Sequence, residues 1–216
     1  MVMRYDPSGV QAEFEPGSRG RVLRNLLGIT RTRDTQQAES QALQLAQTQA
    51  VETFSADQRF SAADICRLHR LWLGPIYAWA GEYRSVNLGR ADFQFASAAL
   101  IPELMAKLER NELARYTPCL RAADDALAEA LAVVHAELVL IHPFRDGNGR
   151  VTRLLALLMG LQAGLPPLDF SPLDGRGRQR YIAGIHATMN RDYHPLTEMF
   201  RKVIDRTWKA ASSNDR

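Results

Sequence analysis

Cysteine is nearly absent. Only Cys66 and Cys119 occur in 216 residues, far apart and in no metal-ligand or redox spacing, which argues against a disulfide scaffold or a zinc site and for a reducing compartment. An excess of charge of one sign is also missing: Lys and Arg number 27 against 24 Asp and Glu, a formal +3 spread along the chain. That balance does not argue for a nucleic-acid partner, and no helix-turn-helix with a basic recognition face stands out. No stretch approaches the roughly 18 uninterrupted apolar residues of a membrane span, and the start from Met1 to Gly9 has no apolar signal-peptide core. Neither a membrane span nor a cleaved leader is expected, and the cytoplasm is the expected location. Internal repeats and low-complexity tracts are lacking as well, which sets aside solenoids and arrays.

What is present is ordinary globular usage, with 46% hydrophobic and 24% charged residues, enough for a proper core. The length suits one domain with an appended arm. Pro7, Gly9, Pro16, Gly17 and Gly20 punctuate a polar start, so residues 1–33 read as an N-terminal arm, 34–211 as the domain and 212–216 as a disordered tail. A helix is expected from Asp34, as N-cap, to before Asp57. A second opens at Ser61-Ala-Ala-Asp64 and carries Ile65, Leu68, Leu71 and Trp72 on one face until Gly74-Pro75. Tyr83–Val86 and Phe93–Ala96 are the strand candidates, joined as a hairpin by Asn87–Asp92. Apolar positions near a 3.6-residue period then predict helices over Ile101–Tyr116, Asp124–Ile141, Val151–Ala163, Arg178–Met189 and Leu196–Ala211. The fold class is mainly α, with one small β-hairpin.

Between the fourth and fifth of these helices lies His142-Pro-Phe-Arg-Asp-Gly-Asn-Gly-Arg150, with Arg153 one turn later. A plain connection needs a few turn residues, whereas this one crowds ionisable and amide side chains around two glycines. Gly147-Asn148-Gly149 lets successive backbone N–H groups converge on an anion where a helix N-terminus adds its positive end. Arg150 and Arg153 share one face of the first helical turn, where positive charge is unfavourable unless an anion sits there too. Asp146 is a hard oxygen donor suited to Mg²⁺ held by one carboxylate, phosphate oxygens and water. A magnesium nucleotide fits all four features. His142 can act as a general base, because a histidine ordinarily titrates near working pH. Phe144 anchors the loop in the core. His69, His135, His186 and His194 show no metal-ligand spacing and read as structural.

The nine-residue run and Arg153 resemble the signature of the Fic (filamentation induced by cAMP) family, His-x-Phe-x-Asp/Glu-Gly-Asn-Gly-Arg-x-x-Arg, at every specified position. Asn25–Thr30, Ile76–Arg84 and Ala163–Leu168 resemble the flanks of Fic cores. The resemblance implies a Fic-type helical bundle and transfer of AMP from ATP to a Ser, Thr or Tyr hydroxyl of a target protein, with release of pyrophosphate. It implies His142 as the base, Asp146 on Mg²⁺, and Gly147, Asn148, Gly149, Arg150 and Arg153 on the phosphates, with Phe144 in the same nucleotide-binding set. Tyr181 and Asn190 would line the adenine pocket, and the hairpin over 83–96 would be a flap that docks the target's extended segment.

Many Fic proteins are restrained by a helix bearing Ser/Thr-x-x-x-Glu-Gly/Asn, whose glutamate pairs with the second arginine, here Arg153. Thr35-Gln-Gln-Ala-Glu39-Ser40 matches in its Thr and Glu but not in Ser40. The Asn25–Thr30 flank resembles toxin members, so a separate small antitoxin bringing a glutamate to Arg153 is the main expectation and self-inhibition by Glu39 the lesser one. Alternatives within the fold are a phosphotransferase, disfavoured because its signature has Lys where Gly149 stands, and a de-adenylylase. A nucleotide-binding interaction module without catalysis is the alternative from another class.

Overall fold

The computed structural model describes residues 10–90, 93–120 and 123–214. Helix accounts for 63% and strand for 3% of the chain, a mainly α architecture. The helices are α1 (Thr32–Thr53), α2 (Ala62–Leu73), α3 (Ile101–Leu108), α4 (Ala114–Tyr116), α5 (Asp124–Ile141), α6 (Asn148–Gln162), α7 (Arg178–Thr188) and α8 (His194–Asn214). A π-helical turn, Glu109–Leu113, joins α3 to α4. Strands β1 (Gly89–Arg90) and β2 (Phe93–Gln94) pair antiparallel.

The centre is α5 followed by α6. Both bury residues on nearly every face, among them Leu127, Leu131, Val134 and Leu138 of α5 and Val151, Leu155 and Leu158 of α6. A helix apolar all round belongs inside, and here α5 is wrapped by α8, α3 and α7 while α6 packs on α5 and α2. The loop His142–Gly147 therefore joins two core helices, and the core on either side fixes where it lies. Helix α2 starts with the expected capping box: Ser61 Oγ accepts from Asp64 N–H, and the Asp64 carboxylate accepts from Ser61 N–H.

Several boundaries differ from the sequence expectation. Helix α1 begins at Thr32 behind an extended Arg31, so Asp34 lies in the first turn and is not the cap; its charge still faces the positive helix end. The first strand is β1, not Tyr83–Val86, because that segment sends its backbone elsewhere: Arg84 N–H bonds to Pro143 O and Ser85 N–H to Gln11 Oε1. In the connecting loop, Ala91 and Asp92 lie outside the described residues. Ser212 and Ser213 are helical, each hydroxyl bonding the carbonyl four residues back, so α8 runs through Asn214 where a disordered tail was expected. Asp215 and Arg216, like Met1–Gly9 of the expected arm, lie outside the described residues.

Ahead of α1, apart from a 3-10 turn at Val10–Ala12 and a bridge between Phe14 and Leu23, the described residues are irregular but tied down. Asn25 accepts from Leu27 and Ile29 N–H and donates to Leu23 and Ile29 carbonyls, while Leu26 N–H reaches Ile76 O. Gln11 O accepts from Arg145 Nε at 2.6 Å, which brings this segment against the central loop. Among the described residues, no helix is long and apolar enough to cross a membrane.

Candidate active site

Helix α5 ends at His142, whose backbone turns left-handed (φ 52°, ψ 58°). A residue with a β-carbon is uncommon there, so the surroundings must hold it. They do so through Arg84, a fully buried side chain whose guanidinium donates to His142 O at 2.7 Å, Val86 O at 2.6 Å and Ala96 O at 2.5 Å. Burial lowers its pKa to about 10, which leaves it cationic at neutral pH. One side chain thus ties the end of α5 to the base of the hairpin. The His142 ring stacks on Phe95 with centroids 3.6 Å apart, and its Nδ1 lies 3.1 Å from Val139 O. A carbonyl can only accept, so Nδ1 carries the hydrogen and the basic lone pair of the neutral ring is on Nε2.

Phe144 is buried completely and stacks on His69 with centroids 3.9 Å apart. Its side chain has no face open to a ligand, which corrects its place among the nucleotide contacts; it anchors the loop. Asn148 bridges the loop, Oδ1 accepting from Phe144 N–H and Nδ2 donating to Phe144 O, both at 2.8 Å. His69 accepts from Gly81 N–H at Nδ1, so Nε2 carries the hydrogen and donates to Asp146 O at 3.0 Å. Burial pushes its pKa down to about 4, which keeps it neutral in this role.

Helix α6 starts at Gly147 (φ +80°), where no side chain caps the helix. Gly147 N–H is taken by Asp146 Oδ1 at 2.6 Å, whereas the amides of Asn148 and Gly149 have no protein acceptor among the described residues. They are the orphan donors of a helix start and can receive an anion. Asp146 Oδ2 likewise has no protein donor among the described residues, and no group of three His, Cys, Asp or Glu that could hold a metal occurs there. One carboxylate beside an anion cradle fits Mg²⁺ that takes its other ligands from phosphate and water.

The two arginines are held differently. Arg150 Nη1 bonds Glu39 Oε2 at 2.7 Å, with Nη2 3.9 Å from Asp146 Oδ1 and the guanidinium 4.5 Å above the Trp72 ring. Arg153 is held by a fork of two bonds to Asp174, at 2.8 and 2.9 Å. Glu39 therefore pairs with the first arginine, not the second as the family pattern implies. Asp146, Arg150, Glu39, Tyr77, Thr35 and Arg21 line a cavity of about 570 Å³.

Tyr181 is half-buried on α7, its hydroxyl 2.8 Å from His135 Nε2, and burial pushes it up to about 12. Asn190 is exposed in the turn after α7. Sequence reasoning missed Arg84, Phe95, Asp174 and the loop-supporting role of His69; His186, read as structural, stacks its ring on Phe93 of the hairpin. The signal available was weak: an arginine after an aromatic in an otherwise apolar stretch, and an Asp between Leu and Gly, are both common on surfaces.

The Fic/DOC family profile matches residues 59–159, which contain the loop and both arginines. The chain is 28% identical over 137 residues to the probable protein adenylyltransferase y4lH of Sinorhizobium fredii, covering 63% of this chain and 69% of that protein. It is 30% identical over 148 residues to protein adenylyltransferase Fic of Nematostella vectensis, spanning 67% of this chain but only 32% of that relative. Among solved structures, BepC of Bartonella tribocorum with bound AMPPNP superposes with a TM-score of 0.71 at 21% identity, over 89% of this chain and 96% of that one.

Proposed function

The chain belongs to the Fic/DOC family, and on that premise we propose that it is a protein adenylyltransferase that moves AMP from magnesium ATP to a hydroxyl of a target protein. The observation that carries this reading is the loop between α5 and α6: it sets a histidine with its lone pair on Nε2 beside an uncapped helix N-terminus and two arginines. The names of the relatives support it, and the AMPPNP held by BepC supports nucleotide binding on this fold.

In this reading His142 Nε2 takes the proton of the Ser, Thr or Tyr hydroxyl as its oxygen bonds the α-phosphorus, and the bond to the β-phosphate bridge breaks to release pyrophosphate. The amides of Asn148 and Gly149, with Gly147 shaping the turn, receive phosphate oxygens where negative charge grows. Arg150 and Arg153 engage the β- and γ-phosphates, and Asp146 would hold Mg²⁺, which would offset the phosphates' negative charge. Tyr181 and Asn190 border the adenine, and the flap segment 83–96, through the edge of its β1–β2 hairpin, takes the target as an added strand. Stacking of Phe95 on His142 supports that last assignment, since it sets the hairpin directly over the base.

The protein acts in the cytoplasm as the toxin of a toxin–antitoxin pair, with a small antitoxin presenting a glutamate to Arg153 in place of Asp174. Incubation with α-labelled and, separately, γ-labelled ATP and a cell lysate tests the activity, with His142→Ala as control. Label from the α-position only, with a mass gain of one AMP on the target, is expected. Transfer of the γ-label would instead establish a phosphotransferase.

A further inference from the structure

We infer that Glu39 is a positioning residue for the nucleotide's phosphates: from α1 it holds Arg150 in its working place, and it does not act as the glutamate that shuts the site. This rests on the nucleotide reading of the loop given above. Glu39 is 5% exposed and its carboxylate is engaged at both oxygens, Oε2 accepting from Arg150 Nη1 and Oε1 from the Tyr77 hydroxyl, each at 2.7 Å. Its backbone is fixed as well, since the Trp72 indole N–H donates to Glu39 O at 2.9 Å. The same Trp72 lies under the Arg150 guanidinium and against Gly147, the first residue of the anion cradle. Glu39, Tyr77 and Trp72 thus form one rigid seat that registers α1 and α2 against the start of α6.

An arginine offers five N–H donors in a fixed fork, and Glu39 uses one side of it. Nη2 remains on the side of Asp146, 3.9 Å from Oδ1, where a magnesium-bound phosphate would approach. A glutamate that blocked the site would have to occupy the donors the phosphates need and be able to leave. Glu39 cannot leave without exposing a buried Tyr77 hydroxyl and stranding its own charge, which is costly in an interior. The contact that can be exchanged is the other one, because Asp174 on Arg153 has a side chain 57% exposed.

The test compares binding of ADP and AMP, by calorimetry in Mg²⁺, to wild type, Glu39→Gln, Tyr77→Phe and Arg150→Ala. AMP lacks the β-phosphate, so a phosphate seat affects the ADP to AMP affinity ratio, while a general loss of structure lowers both. Arg150→Ala is expected to cut that ratio roughly tenfold or more, the usual worth of a charged hydrogen bond. Glu39→Gln is expected to cut it by a similar factor and to raise KM for ATP with kcat little changed. Tyr77→Phe, which keeps the ion pair, shows a smaller loss in the same direction and serves if Glu39→Gln fails to fold. A faster transfer rate in Glu39→Gln, or equal loss of ADP and AMP binding, overturns the inference while leaving the nucleotide reading intact. An unchanged ratio in Arg150→Ala overturns both.

Discussion

Two glycines separated by one residue should respond in opposite ways to the same added methyl group. Gly147 has φ +80°, and a β-carbon there would stand 2.7 Å from the Trp72 ring and 3.1 Å from Leu73. Trp72 cannot give way: it is fully buried, its N–H is bound to Glu39 O, and Arg150 covers its face. Gly147→Ala therefore carries a left-handed backbone cost of roughly 1–2 kcal/mol and an overpacking cost of about 1–3 kcal/mol. The sum, about 2–5 kcal/mol, is a large part of a typical domain's stability. At Gly149 nothing lies within 4 Å and no positive φ is required, so alanine fits and gains up to about 1 kcal/mol by helix propensity. Its methyl, however, stands beside the amides assigned to phosphate and should weaken ADP binding. Urea unfolding at pH 7 and ADP calorimetry read the two effects separately. Equal destabilisation by both substitutions, or a fully stable Gly147→Ala, would refute the packing argument.

Other substitutions address the base, its support, the buried imidazole and the exposed clamp. His142→Ala should abolish AMP transfer in the labelled-ATP assay while leaving the ATP dissociation constant within about twofold, since the base acts on the target hydroxyl. Arg84→Ala strands three carbonyl acceptors, one buried and two part-buried, at roughly 1–3 kcal/mol each, and should lower the unfolding midpoint strongly, the largest single loss among these variants. For His69 the folded-state pKa is lowered from 6.5 to about 4, so the native ring refuses a proton that the unfolded chain accepts. Stability is then lost as pH falls through that window, by up to about 3 kcal/mol. An imidazole NMR titration of His69 that shows protonation near pH 6.5 in the folded protein would contradict this. Asp174→Ala should tighten ATP binding only two- to fivefold, because an exposed ion pair is worth little, and the gain should shrink with added salt.

Most of the bundle was legible because its signals are local. The apolar periodicity of Asp124–Ile141 gave that helix with its observed ends, and Ser61 with Asp64 gave the start of α2 through a box confined to four residues. The loop was legible because glycine, carboxylate and arginine stand within one dozen residues. What escaped depends on long sequence separation. Arg84 meets His142 across 58 positions, Glu39 meets Arg150 across 111, and Trp72 meets Glu39 across 33. The Thr35-Gln-Gln-Ala-Glu39 pattern pointed Glu39 at Arg153, and nothing local shows that it is buried on Arg150 instead; that burial comes from Tyr77 and Trp72. The strand at Tyr83–Val86 failed for a related reason, since β-branched and aromatic residues signal burial, and a buried segment pinned by Arg84 satisfies the same pattern without a ladder.

These distant contacts divide the loop into parts that are fixed and a part that can exchange. His142 is held on its backbone by a buried arginine, Asp146 on its carbonyl by a buried neutral histidine, and Arg150 by a buried glutamate. Each partner reaches the loop from a different segment, so the loop's shape is a property of the assembled core, and ligand need not create it. Arg153 is paired across the surface, to a carboxylate more than half exposed on a short turn between α6 and α7, whereas Arg150 has a buried partner in Glu39 besides its longer contact with the exposed Asp146. In water such a pair separates readily, while the buried ones do not. In the proposed reading, a phosphate arriving at α6 would meet donors already in place at Asn148, Gly149 and Arg150, and would displace Asp174 at Arg153. On the proposed reading, competition for the site, whether by nucleotide or by a partner's carboxylate, falls on that second arginine, because its partner Asp174 is exposed while Glu39 on Arg150 is buried.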